Sequence, residues 1–449
     1  MSETKATKVL HLTPHFGGGV GTVLLANLIH STKVDPEIEC SVLCLDYLNE
    51  HSKEAIKRAN IPYTELMHTK PEAVLDQIAA ADVTLIHWWN HPLLTDFLIR
   101  YRLPPCRLLM WCHITGSFAP NNLTSRLFTY PDEFIFTTPI SYEAPEYKSL
   151  NPDERKTVST IWSTAGVERL AHVQPRKHDG FHVGYLGSLD PTKIHPQFVE
   201  LCKSINIPNV HFTVIGPENE KLTRQAHNLG MDKTITFTGF IPGSRKWDLL
   251  STFNVFGYPL ARHHFGSCDQ TLQEAMALEV PPVVLNNQME RYMVKHGHTG
   301  LVVEDEQQYI RAIEELSIDH QKRNTLGQQA KQFAIEAYSI EHSRRQWRDV
   351  FDRVMTKKKS PKCWGRFNDE SPSAAEIFVE SLGDHAGPFQ SYLRSNEKDR
   401  KPHIEKIKEL GQCGNWTSPN KSTVYQFLRF FPEDKTLREW AEIMKDGML

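Results

Sequence analysis

Short, unbroken apolar runs alternate with longer amphipathic segments through most of this chain, and that alternation leaves few ways to fold. KVLHLT (8–13), CSVLCL (40–45), VTLIHWW (83–89) and CRLLMWCHI (106–114) read as strands apolar on both faces, whereas VGTVLLANLIH and PEAVLDQIAAA between them carry helical spacing. Strands of that kind need cover on both faces, and helices between them supply it, so a parallel sheet is expected. The polar stretch HVQPRKHDG (172–180) breaks the series and reads as a linker. A second series follows: FHVGYLGS, VHFTVIG, TITFTGFIP, FNVFGYPL, PPVVLNN and TGLVV. SIEHSRRQWRDVFDRVM (339–355) is a long amphipathic segment with Trp347, Phe351 and Val354 on one face, and residues 372–449 look mostly helical. The expected organisation is an α/β domain over 1–174, a second over 175–338, a helix over 339–356, and a linker with a helical extension over 357–449.

Bulk composition removes several classes of function. The 449 residues are 40% hydrophobic, enough for two or three domains with substantial cores. A net charge of −3 provides no field for nucleic acid or for an anionic membrane. The eight cysteines form no C-x-x-C pair and no zinc spacing, which fits a reducing compartment. The N-terminal residues do not read as a signal peptide, and no stretch approaches the roughly 20 apolar residues of a spanning helix. A soluble cytoplasmic protein is the expectation.

Two segments are suited to anions. TPHFGGGVGTVLLANLIH (13–30) places glycines between a strand and a helix, where the backbone can approach a ligand and the helix end offers free N–H groups. It is neither G-x-G-x-x-G nor a Walker loop, so nicotinamide and ATP readings lose their support, and a tight turn without a ligand is the plain alternative. In the second series, VGYLGSLDPTKIHPQFVELC (183–202) gives a strand, a turn, Lys193 and a helix, with Pro196 placed for the first helical turn. Lys193 at a strand end is suited to a diphosphate, or is a solvated surface lysine. Ser267 and Gln270 have the spacing of a capping box, so a helix is expected to start there, with Gly266 permitting close backbone approach. Gln270 and Glu274 share a face of that helix, and Glu274 can accept from the vicinal hydroxyls of a ribose. Asp269 in the first turn favours the helix but repels a phosphate unless its side chain turns away.

Over roughly residues 8–355 the chain resembles the retaining GT-B glycosyltransferases of family GT4. GGVG, TGFIP, EAMALEVPPVVLNN and HGHTGLVV carry the resemblance, in the family's order and spacing. It implies two Rossmann-like, doubly wound domains facing a cleft, with the segment 339–355 returning to the first domain and the helical extension lying outside the match. The second domain would hold a sugar nucleotide, as a UDP-sugar or GDP-sugar, and the first would bind the acceptor. By the same resemblance Glu274 matches the ribose-binding second glutamate of Glu-x7-Glu and Lys193 the phosphate-binding lysine. Gly18 and Gly19 match the loop against the diphosphate and sugar, His113 a histidine beside the donor sugar, and Phe240 and Ile241 the region that meets the base. Two positions depart from the pattern. The family's diphosphate arginine is Ser188 here, with Arg262 the nearest candidate replacement and Arg245 and Arg291 weaker ones. The first glutamate of the motif is Gly266, with Asp269 in the same loop able to supply a carboxylate, as in a variant bacterial subgroup.

The resemblance implies transfer of a hexose-type sugar to a glycan, a lipid-linked or another hydroxyl acceptor, with retention, the leaving phosphate helping to take the acceptor proton. His113, Lys193 and Asp269 are the candidate catalytic residues; Ser267 and Gln270 join the candidate donor site. No D-x-D sits at a strand end, so no metal and no cofactor beyond the nucleotide sugar is expected. His87 and Trp88 are acceptor-site candidates, or a hydrophobic corner, which is the preferred reading; a histidine metal site at His263 and His264 lacks companion ligands. Peripheral contact with a membrane stays among the partners considered. The competing function is a catalytically silent sugar-nucleotide-binding or scaffold protein of the same fold.

Overall fold

The computed structural model describes residues 6–174, 178–241, 243–365 and 371–447, so part of the expected linker at 172–180 lies outside the described residues. The chain divides into two compact units, one formed by the residues up to Ile161 together with those from Arg344 onward, the other by Trp162–Ser343.

The first unit is built on a seven-stranded sheet: β1 (Thr7–Thr13), β2 (Ile38–Cys44), β3 (Tyr63–Thr64), β4 (Val83–Trp88), β5 (Leu108–Cys112), β6 (Glu133–Phe136) and β7 (Val158–Thr160). All neighbours are parallel, in the order β7-β6-β5-β4-β1-β2-β3. The order reverses between β1 and β4, the place where open α/β sheets bind ligands beyond the carboxyl ends of their strands. Helix α1 (Gly18–Val34) starts in the glycine loop after β1, and α2 (Pro92–Arg100) follows β4. Every residue of β4 and β5 is buried, as their unbroken apolar runs require.

The second unit holds β8 (Phe181–Leu186), β9 (Val210–Ile215), β10 (Ile235–Phe237), β11 (Val255–Tyr258), β12 (Pro282–Leu285) and β13 (Leu301–Val303). These too are all parallel, in the order β10-β9-β8-β11-β12-β13, with the reversal between β8 and β11. Helix α3 (Arg245–Leu250) precedes β11, and α4 (Gln270–Ala277) follows it. Two local expectations are corrected. The capping box does not form: the N-cap of α4 is Asp269, which makes no side-chain cap bond, because its carboxylate is drawn to Lys193 and Tyr258 instead. Pro196 precedes its helix, which runs Phe198–Ser204 from the N-cap Gln197, rather than sitting in the first turn.

Helix α5 (Ile340–Met355) carries the chain back, its residues from Arg344 onward belonging to the first unit. There Trp347 meets Trp111 of β5 at 4.9 Å between ring centroids, and Arg344 binds Asp35 at 2.6 Å. The extension comprises α6 (Ala374–Leu382), α7 (Gly387–Arg394), α8 (Lys401–Leu410), α9 (Val424–Phe430) and α10 (Lys435–Gly447). It shares a continuous apolar core with the first sheet: Phe378, Phe389, Phe427 and Trp440 are fully buried in the cluster that also contains Leu10, Met110 and the apolar face of α2. Polar ties reinforce this, with Asn122 donating to the Leu382 carbonyl at 2.8 Å and Ser422 meeting Asn121 at 3.0 Å.

Candidate functional site

In the second unit the loops that follow β8 and β11 are stitched together. Ala261 N–H donates to the Lys193 carbonyl at 2.8 Å and His195 N–H to the Pro259 carbonyl at 3.1 Å. This brings Lys193 to the start of α4, where its ammonium lies 3.1 Å from the Asp269 carboxylate. The same carboxylate accepts the Tyr258 hydroxyl at 2.8 Å. Burial works against both charges, yet the partners prevail. Burial raises the Asp269 pKa, but Lys193, His264 and the Tyr258 hydroxyl bring it below the usual carboxylate range; burial lowers that of Lys193, but Asp269 and then Tyr185 bring it above its ordinary value. The pair is therefore ionised at neutral pH. Asp269 has turned toward the ammonium, and an ammonium with three N–H groups keeps donors for a second acceptor.

Glu274, on the next turn but one of α4, is buried, its side chain only 2% exposed. It is held by two cations that sequence reasoning missed: Arg169 at 2.8 Å and Lys246 of α3 at 2.9 Å. Both cations also flank the Trp247 ring, at 5.0 and 5.8 Å from its centroid. The Gln270 amide accepts from Ala165 N–H at 3.0 Å and donates to the Ser163 carbonyl at 2.7 Å. Gln270 thus spends its amide on the backbone of its own unit. Two cations on one carboxylate leave a net positive charge beside the helix.

The position lacking the motif's first glutamate has a steric reason. A Cβ on Gly266 would stand 2.8 Å from the His264 ring. His264 is buried and fixed at both nitrogens: Nδ1 accepts from Gly266 N–H at 2.9 Å, and Nε2 donates to Glu290 at 2.9 Å. An imidazole fills the space that a larger side chain at 266 would need. Ser267 is half-buried in the same loop. Arg262 is exposed and donates to the Glu304 carbonyl, and Arg291 lies over Tyr292. Phe240 is 75% exposed, and Ile241 beside it is half-buried.

In the first unit the helix N-terminus at Gly18 has no side-chain cap, and a Cβ at Gly18 or Gly19 would meet nothing within 4 Å, so the loop is open. Gly18 sits at φ +62°, which favours glycine. His113 is buried at the end of a ladder of imidazoles on one face of the sheet: His11 Nδ1 meets His87 Nε2 at 3.2 Å, and His87 Nδ1 meets His113 Nε2 at 3.1 Å. Burial lowers the pKa of His11 to about 4 and that of His113 to about 3, and that of His87 falls too, so all three are neutral at pH 7. His87 and Trp88 are 0% and 2% exposed and cannot stack on an acceptor; they are core, and it is Trp89, just past the carboxyl end of β4, that is half-buried.

Residues 167–333 match the family model of the glycosyl transferases group 1. The chain is an enzyme of the glycosyltransferase class. YtcC of Bacillus subtilis, whose name marks it as a candidate glycosyltransferase, is 23% identical over 348 residues, covering 69% of this chain and 83% of its own. The capsular polysaccharide biosynthesis glycosyltransferase CapM of Staphylococcus aureus is 30% identical over 171 residues, 36% of this chain and 43% of its own. Among solved structures, Alr3699/HepE of Anabaena, crystallised with UDP and glucose, superposes with a TM-score of 0.60 at 15% identity, over 77% of this glycosyltransferase and 100% of that chain. That likeness establishes the fold, two Rossmann-like units of GT-B type, with the helical extension in addition.

Proposed function

We propose that this glycosyltransferase transfers a hexose-type sugar from a nucleoside diphosphate sugar to a hydroxyl acceptor, with retention and without a metal. The observation that carries the donor site is the Lys193 ammonium at the uncapped start of α4, beside the reversal point of the second sheet. A departing diphosphate needs its growing charge met as the glycosidic bond breaks, and preorganised donors do this without reorganisation. Lys193 and the first-turn amides of α4 supply those donors. The Lys193–Asp269 pair is neutral as a whole, so attraction for the diphosphate comes from oriented N–H groups and from the excess charge of Arg169 and Lys246. Glu274 takes the ribose diol, and it does so by exchanging one of its two cations for hydroxyl donors. Phe240, with its exposed ring, stacks on the base. The solved relative bound to UDP and the group 1 match support this reading.

In a front-face displacement the leaving phosphate oxygen takes the acceptor proton, so no carboxylate at position 266 is needed as a base. The test is nucleotide release from a panel of UDP- and GDP-sugars, with EDTA present and absent and the product anomer read by NMR. Slow release without acceptor, reduced at least 100-fold in Lys193→Ala, supports the reading. Nucleotide binding with no turnover for any donor and acceptor overturns it.

A further inference from the structure

The helical extension reaches the ligand-binding edge of the first unit. Three loops meet there, each following a strand: His15–Gly17 after β1, Tyr47–Asn49 after β2 and Trp89–His91 after β4. Their rings form one assembly. His15 stacks on Tyr47 at 5.1 Å with an interplanar angle of 3°, and meets Trp89 edge-on at 5.1 Å. His91, buried, joins Trp89 at 6.3 Å and caps α2 by accepting from Leu93 N–H at 3.3 Å. The assembly continues into α9: Phe430 meets His91 at 4.9 Å, and the Arg429 guanidinium lies over the Phe430 ring at 5.6 Å.

This edge combines three properties of a carbohydrate site. Tyr47 is 43% exposed, and Trp89 and Phe430 are half-buried, so ring surface is presented. The open backbone of Gly18 and Gly19 adjoins it, with Tyr47 Oη within 3.3 Å of a Cβ built on Gly17. A cation stands at the rim. Arg429 is exposed, and among the described residues it has no ion-pair partner and no hydrogen bond; its charge nevertheless reaches His15 and His91, both of which burial keeps neutral. Asp46, the acid that acts on His15, does not pair with it.

From this placement we infer that α9 completes the acceptor site, with Phe430 and the ring assembly as the stacking surface and Arg429 as the group that selects an acceptor bearing an anionic substituent, a carboxylate or a phosphate. A planar guanidinium forks onto either group through paired N–H donors, and the Phe430 ring lies 5.6 Å beneath it. The neutral imidazoles beside it add no competing charge. The inference rests on the glycosyltransferase reading for the word acceptor, but its test does not.

The full chain, presaturated with UDP so that phosphate sites in the second unit are filled, is titrated with glucose, glucuronate and glucose 6-phosphate and followed by saturation-transfer NMR. Both anionic probes, or one of them, are expected to bind at least about 10-fold more tightly than glucose, and which one does so distinguishes carboxylate from phosphate. Arg429→Ala is expected to erase that preference and Arg429→Lys to keep part of it, while melting curves confirm folding. Equal binding of all three probes, or a preference that survives in Arg429→Ala, overturns the inference. Failure of UDP and GDP to bind the wild-type protein counts instead against the donor-site reading.

Discussion

Gly266 and His264 show how one side chain dictates the identity of another. A methyl group at 266 has nowhere to go while the imidazole is pinned between Gly266 N–H and Glu290. Gly266→Ala is therefore expected to cost about 1–3 kcal/mol, the usual price of overpacking. In a His264→Ala background the same substitution should cost much less, and a double-mutant cycle by urea denaturation reads the coupling. The buried imidazoles give a second prediction. Free histidines take protons near pH 6.5, but His11 waits until about 4 and His113 and His91 until about 3. Between those limits the unfolded chain binds more protons than the folded one, so stability is full above pH 6.5 and falls steadily as pH drops toward 4. Urea melts at pH 7.5, 5.5 and 4.5 check this; equal midpoints at the first two would contradict it. Lys193 was visible in sequence as a lysine at a strand end, and Asp269 and Glu274 by their places in the first turn and on one face of a helix, because such spacing is local. Arg169, Lys246 and the His264–Glu290 pair were not, since each acts through a loop or helix brought in by tertiary folding.

At the scale of elements, continuous apolar runs mark the strands that are buried on both faces. β4, β5 and the strands of the second unit fall within the runs read from sequence and β1 overlaps one from Lys8 onward, although β10, at the edge of its sheet, is exposed at Thr236. β3, β6 and β7 do not announce themselves: they have two to four residues, and β3 and β7 are only half-buried at the two edges of the sheet. The capping box failed for an electrostatic reason, because the residue beside the expected cap is an aspartate with an ammonium within reach. The extension was legible as helices but not as part of a domain, since its apolar faces say that something is covered and not what. They cover α2 and one another. Trp440 touches Phe378, Phe389 and Tyr392 at ring distances of 4.9–5.9 Å and is fully buried. Trp440→Ala is expected to cost about 3–5 kcal/mol, and Phe427→Ala a similar amount, measured by chemical denaturation. The effect should appear in the melting of the first unit, because that is the core the extension shares.

For the whole molecule, the first unit is assembled from both ends of the chain, whereas the second is one uninterrupted segment. A chain stopped after residue 355 would bare the apolar surface of α2 and is expected to aggregate or bind hydrophobic dye, as judged by light scattering and dye fluorescence, whereas residues 162–343 alone should retain a cooperative melt. The same arrangement bears on biosynthesis. A ribosome delivers Leu10 hundreds of residues before Met444, yet the two share a core, so the early sheet must wait, partly unclad, while the middle segment collapses into its finished shape. The helix that carries Arg429 is thus made after the whole of the second unit, and the aromatic cluster at His15, Tyr47 and Trp89 gains that neighbouring cation only once the middle segment has been synthesised.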